Sequence, residues 1–229
     1  MLIKRLFLGV ALLLSASAYA QQQQPAADAD NKGTSEVAQQ INMAGQLIRY
    51  GYQTKSALPL IQAVQIYKKL GVTDATDVKP KESEGSTVPS QSLTKSEVVS
   101  YDETKILEDA TTFASGNKNL LGLIADTKKA SRGAVGGPRR INDCVLGNHT
   151  DTWTFTFRGG ERASVTVNGD GDTDLDLYVY DENGNLIDKD DDYLDYCICS
   201  FTPRWTGIFK IKIVNRSRTI TNCYSLTIN

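Results

Sequence analysis

The apolar period of this chain changes near residue 141, and that change limits what it can fold into. Beyond it, apolar side chains recur at every second position. Trp153, Phe155 and Phe157 alternate with Thr152, Thr154 and Thr156, and Leu175, Leu177 and Val179 with Asp174, Asp176 and Tyr178. Ala163, Val165 and Val167 have polar partners, Phe209, Ile211 and Ile213 are spaced by Lys210 and Lys212, and Tyr224, Leu226 and Ile228 by Ser225 and Thr227. A period of two turns one face of a strand to a core and the other to solvent. Gly159-Gly160, Asn183-Gly184 and Thr206-Gly207 lie between the runs, where turns belong. Short alternating strands at this spacing predict an antiparallel β-sandwich over 141–229.

Before the switch the period is helical. Val37, Ile41, Ala44 and Ile48 fit a helix with Ser35 as cap and Gly51 as its end. Leu60, Ile61, Val64, Tyr67 and Leu70 fit a second, with Pro59 in the first turn and Gly71 as the stop. Segments 102–115 and 118–130 read as two more. The region 35–131 is therefore expected to form helical hairpins or a small bundle, interrupted by a flexible loop over 72–100 that lacks an apolar period. The polar, repetitive stretch 21–34 reads as a disordered linker. RGAVGGPRR, residues 132–140, reads as a Gly-rich basic linker, because no GxxxxGK[ST] pattern makes it a phosphate loop. The fold class is α plus all-β.

The first twenty residues, MLIKRLFLGVALLLSASAYA, have the form of a secretory signal peptide: Lys4 and Arg5, an apolar stretch over 6–14, then Ala18-Tyr19-Ala20. A spanning helix needs about 20 apolar residues, more than are present. The expected location is secreted or periplasmic, with no membrane span after signal cleavage. All four cysteines, Cys144, Cys197, Cys199 and Cys223, follow the leader, and an even count in an exported chain predicts two disulfides. Neighbours two apart on a strand are poorly placed to bond, so Cys144 is expected to pair with one of Cys197 and Cys199, and Cys223 with the other.

Charge is unevenly divided. Residues 21–140 carry 15 basic and 13 acidic side chains, whereas 141–229 carry 8 and 14. An acidic half disfavours nucleic acid and favours cations. The stretch NGDGDTDLDLYVYDENGNLIDKDDD, residues 168–192, holds ten carboxylates and one lysine around a buried-looking strand. Chain reversal at Asn183-Gly184 should bring its two acidic loops to one end of a sheet. Clustered hard oxygen donors suit Ca²⁺, with Asp170, Asp172, Asp174 and Asp176 the first candidates and Asp190, Asp191 and Asp192 the second. A solvated charged face is the plainer alternative. An EF-hand is excluded, since Leu175 stands where that loop needs Gly. Tyr178, Tyr180, Tyr193 and Tyr196, beside the acidic loops, form the candidate ligand-binding patch.

The segment GDGDTDLDLYVYDENGNLI, the later SFTPRWTGIFKIKIVN and the final CYSLTIN resemble the bacterial pre-peptidase C-terminal domain over about 151–229. The resemblance implies a jelly-roll-like sandwich, non-catalytic and appended to exported proteases and other secreted proteins, with some related modules stabilised by calcium. No peptidase precedes the module here. The single histidine, His149, has no GxSxG or HExxH signature beside it, so no catalytic residues are assigned. The expected role is an exported non-catalytic binding or accessory protein that recognises an extracellular or periplasmic protein or polysaccharide. The alternative is an accessory or inhibitor-like partner of a secreted hydrolase, working through the helices.

Overall fold

The computed structural model describes residues 24–29, 35–86, 99–130 and 136–229; the expected leader lies outside them. Among the described residues are four helices and eleven strands. Helix α1 (Glu36–Thr54) starts as expected, with Ser35 Oγ accepting from the Ala38 amide at 3.0 Å. It runs past Gly51. That glycine is a contact point with α2 (Ala57–Leu70), because a Cβ there would lie 2.5 Å from a Leu60 methyl. Gly71 closes α2 at φ 70, and α3 (Glu103–Phe113) and α4 (Lys118–Lys129) are capped by Asp102 and Asn117. Ile41, Ile48, Leu60, Ile61, Val64, Tyr67 and Ile106 fill the helical core.

The remaining strands are β4 (Arg139–Val145), β5 (His149–Phe157), β6 (Ala163–Gly169), β7 (Leu175–Asp181), β8 (Leu186–Asp190), β9 (Tyr196–Pro203), β10 (Gly207–Asn215) and β11 (Asn222–Ile228), preceded by β1 (Ala27–Ala29), β2 (Thr73–Asp74) and β3 (Glu82–Gly85). They form two stacked sheets. The first has the order β1-β9-β6-β11-β4-β2 and the second β3-β5-β10-β7-β8. Every pairing is antiparallel except β2 with β4. The fold is thus helices plus an antiparallel sandwich. Leu175, Leu177, Val179, Phe209, Ile211 and Ile213 are completely buried between the sheets, as the alternation predicts. Phe157, Phe201 and Phe209 pack with ring centroids 5.0 to 5.7 Å apart.

Three segments expected to be linker or disordered contribute strands. Part of 21–34 becomes β1, which pairs with the end of β9 and places Ala26 and Ala27 in the sandwich core. Within 72–100, β2 and β3 extend one edge of each sheet, and residues 87–98 lie outside the described region. The basic linker ends inside β4. The helices pack on one another around a core of their own, as expected. They lie on the outer face of the first sheet, so that β6 is buried on both sides. Gly45 of α1 sits directly on Asn168 of β6, Tyr101 donates to the Gly169 carbonyl at 2.7 Å, and Arg49 pairs with Asp195. Arg140, fully buried, reaches Asp74 and stacks on Tyr67 with the guanidinium 5.1 Å from the ring centroid. The order is helices, first sheet, second sheet.

One disulfide forms, and it is not of the expected pairing. Cys144 bonds Cys223, and Cys197 and Cys199 are free and buried. The register of β4 against β11 sets Cys144 opposite Cys223 on the outer face of the first sheet. Cys197 and Cys199 belong to the inward parity of β9, with Phe201.

Candidate binding surfaces

The two acidic loops do meet at one end of the sandwich: Leu175, at the start of β7, donates its amide to the Leu194 carbonyl at 3.2 Å. Most of the carboxylates there have another occupation. Asp170 is buried and accepts from the amides of Asp172 at 3.0 Å and Cys223 at 2.8 Å. Burial pushes its carboxyl up to about 6, against the pull of those two hydrogen bonds. Asp176 is tied to Arg216 and accepts from the Tyr178 hydroxyl at 3.2 Å. Asp191 pairs with Lys189, whose ammonium holds that carboxyl below its usual range. Asp192 accepts from the Leu194 amide at 2.9 Å. Asp172 is half-buried, and Asp174 keeps one buried oxygen without a hydrogen-bond partner while burial and Asp176 raise its carboxyl.

Asp188 and Asp190 explain much of the crowding. From β8 they reach across to the other sheet and accept from the amides of Ser200 and Ile198, each at 2.8 Å. Those amides lie on the edge of β9 that β1 does not reach. Backbone donors that would otherwise be buried unpaired are satisfied by carboxylates. Asp195, which the sequence did not single out, does the same for Gly171 at 2.6 Å. At the opposite pole Asp181 accepts from Ala26, Asn183 and Asn185. Burial raises its carboxyl, but those donors outweigh it and hold it below the usual range. The local signal for such roles is an Asp two residues before a turn amide, as in Asp170-Asp172 and Asp181-Asn183; the inter-sheet reach of Asp188 and Asp190 has none.

These donors do not fit the expected calcium cage. Ca²⁺ takes six to eight oxygens converging on one point. Among the described residues no group of three or more His, Cys, Asp or Glu side chains is placed to hold a metal. Asp170, Asp176 and Asp190 spend their oxygens on amides and arginine instead.

The tyrosines divide between surfaces. Tyr178 and Tyr180 lie on the outer face of the second sheet with rings nearly parallel, 28° and 6.5 Å apart. Tyr193 is 95% exposed at the loop tip. Tyr196 is on the other sheet, beneath the Arg49 guanidinium, so the four do not form one patch. The strand register builds a different array around the first two. Tyr180, Lys210 and Thr154 form one row across β7, β10 and β5, and Tyr178, Lys212 and Thr152 the next. Lys212 Nζ lies 5.3 Å from the Tyr180 ring centroid, and Arg216 donates to the Tyr178 hydroxyl. These side chains are half-buried or exposed, and among the described residues no helix packs across them. The lysines and threonines of this array were visible in the sequence only as the polar half of the alternation.

His149 lies with its Nδ1 3.4 Å from Ser83 Oγ, contributed by β3. That separation exceeds the usual reach of a hydroxyl hydrogen bond, and Ser83 stands exposed on an edge strand. The nearby buried Asp151 is engaged by Lys81 at 2.7 Å and the Tyr224 hydroxyl at 2.9 Å. Trp153, in the core as expected, donates to that same hydroxyl. Trp205 is at the rim, donating to Glu182.

No family model matches this chain, and no curated protein matches it. Solved structures are similar over part of it. The pre-peptidase C-terminal domain of collagenase from Bacillus anthracis is 15% identical over 39% of this chain and 87% of its own, with a TM-score of 0.34. PliG, a periplasmic inhibitor of g-type lysozyme, is 16% identical in its Aeromonas hydrophila form over 40% of this chain and 84% of its own, with a TM-score of 0.32. The Salmonella Typhimurium form is 18% identical over 42% and 94%, with a TM-score of 0.29. The likeness is to part of the fold.

Proposed function

We propose that this is an exported, non-catalytic binding protein that recognises a polysaccharide through the open face of its second sheet. The observation that carries this reading is the pair of Tyr–Lys–Thr rows on a sheet face across which, among the described residues, no helix packs. Flat aromatic faces stack on sugar rings, while ammonium and hydroxyl groups hydrogen-bond sugar hydroxyls. Export is supported by the leader-like first twenty residues and by the Cys144–Cys223 disulfide, a bond of oxidising compartments. Affinity electrophoresis against a panel of neutral and acidic soluble polysaccharides tests the reading. Retardation by at least one polymer is expected, and loss of it in Tyr178→Ala/Tyr180→Ala.

A second reading has its own observation. Met43 and Leu47 of α1 and Ile66 of α2 line a groove of about 430 Å³, with Met43 55% exposed. Exposed methionine on a helical groove suits a protein partner, as an accessory or inhibitor of a secreted hydrolase would require. Met43→Lys would then abolish capture of a hydrolase from the host's exported proteins, and leave polysaccharide retardation unchanged.

A further inference from the structure

The buried apolar side chains gather into two cores, one between the sheets and one among the helices. A seam of opposite character runs between them. On β6, Val165 and Val167 belong to the sandwich core, so Ser164, Thr166 and Asn168 point at the helices. On β11, Leu226 and Ile228 belong to that core, and Ser225 and Thr227 point the other way. The register sets Thr166 beside Thr227 and Asn168 beside Ser225. All five polar side chains are buried. Yet among the described residues neither amide atom of Asn168 has a hydrogen-bond partner, and nor do the hydroxyls of Ser225 and Thr227. Polar groups buried in this way oppose docking, and the contact of Gly45 with Asn168 buries little apolar surface to offset them.

The contacts that do hold the layers together are polar, and water can replace them. Arg49, partly exposed, pairs with Asp195 at 2.5 Å, and Tyr101 donates to the Gly169 carbonyl at 2.7 Å. The chain passes from helix to sheet at Gly71, with φ 70, between α2 and β2. It passes again near Gly137, ahead of β4, where a Cβ would lie 2.5 Å from the Gly71 carbonyl oxygen. Two crossings side by side make a hinge. Arg140, stacked on Tyr67, lies beside that hinge, one helical turn before Gly71.

We propose that the helices swing off the first sheet as one body about Gly71 and Gly137, a cover that bares the hydroxyl and amide face of β6 and β11 while both cores stay closed. Proteins open along such boundaries at a lower free energy than global unfolding requires. The cover goes beyond both functional readings above and depends on neither, since the helical groove and the tyrosine rows each stay whole within their own layer.

Thiol alkylation of the folded full-length Thr227→Cys variant, followed by mass spectrometry, tests the cover. Cys197 and Cys199, free and buried in the sandwich core, serve as internal clocks for unfolding of the sandwich. Position 227 is expected to react at least about tenfold faster than either. Thr166→Cys, on the neighbouring strand, should report the same opening and serves if Thr227→Cys does not fold. Adding Arg49→Gln should speed the seam position at least about tenfold and leave Cys197 and Cys199 unchanged, because it releases only the cover. Adding Ser225→Ala should slow the seam position, because docking then strands one hydroxyl fewer. The proposal is overturned if the seam position reacts in step with Cys197 and Cys199, or if Arg49→Gln leaves its rate unchanged or speeds all three alike. It is equally overturned if Ser225→Ala fails to slow the seam position.

Discussion

Aspartates pull the pH response in opposite directions: burial raises the carboxyls of Asp170, Asp174 and Asp190, while hydrogen-bond donors hold that of Asp181 down. Asp170 titrates at about 6 when folded, against an ordinary value of 3.8. The folded protein therefore holds a proton that the unfolded chain has released, and the stability gained from neutral Asp170 is lost as pH rises through about 6. Asp181, held below its usual range, contributes stability above that range and loses it as pH falls. The melting temperature should accordingly be highest in mildly acidic buffer and decline from pH 5 to 7.5. Asp170→Asn should flatten that decline; an unchanged slope would show that another group is responsible. The cysteines make a second residue-scale prediction. Alkylation of the unfolded, unreduced chain should add two adducts, one at Cys197 and one at Cys199, because only these are free. Cys223→Ser should cost about 2–4 kcal/mol in denaturant unfolding. This pairing was legible in the sequence, though the expected one ignored the signal. Tyr224, Leu226 and Ile228 face inward, so Cys223 faces outward, while Cys197 and Cys199 share the parity of Phe201. Side chains on opposite faces of a sheet cannot bond.

Among the elements, the long alternating strands and the capped helices were readable, since each carries its own period and its own stop residues. The edge strands were not. β3 is Glu-Ser-Glu-Gly, exposed at every position, and β1 is three residues long; pairing partners alone make them strands. The carboxylates of β8 belong to the same class of effect, because their role depends on which edge of β9 lies opposite. Asp190→Ala should leave the Ile198 amide unpaired, costing about 1–3 kcal/mol, and speed hydrogen exchange at Ile198. Unaltered protection there would mean that the carboxylate is ornamental. Gly45→Ala tests the helix-to-sheet contact. Alanine gains about 1 kcal/mol of helix propensity, but its methyl would meet Asn168 at 2.3 Å, so net destabilisation of about 1–3 kcal/mol is expected.

As a whole, the molecule has two sheet faces that are covered unequally. The helices cover the first sheet over a polar interface, where Asn168, Ser225 and Thr227 are buried, and among the described residues no helix covers the outer face of the second sheet. Because β1, β2 and β3 all come from before the sandwich, the segment 136–229 alone should melt well below the full chain. Asp170, Asp176 and Asp190 at the acidic pole accept from amides or pair with arginine, so Ca²⁺ and EGTA should give the same melting temperature; a rise that grows with free Ca²⁺ would restore the metal cage. Recognition through the outer face of the second sheet is tested by equilibrium binding of the parent and of Tyr178→Ala/Tyr180→Ala to a retarding polysaccharide. The expected result is a loss of affinity of about tenfold or more in the variant with unchanged thermal unfolding. Full affinity in a folded variant would contradict it.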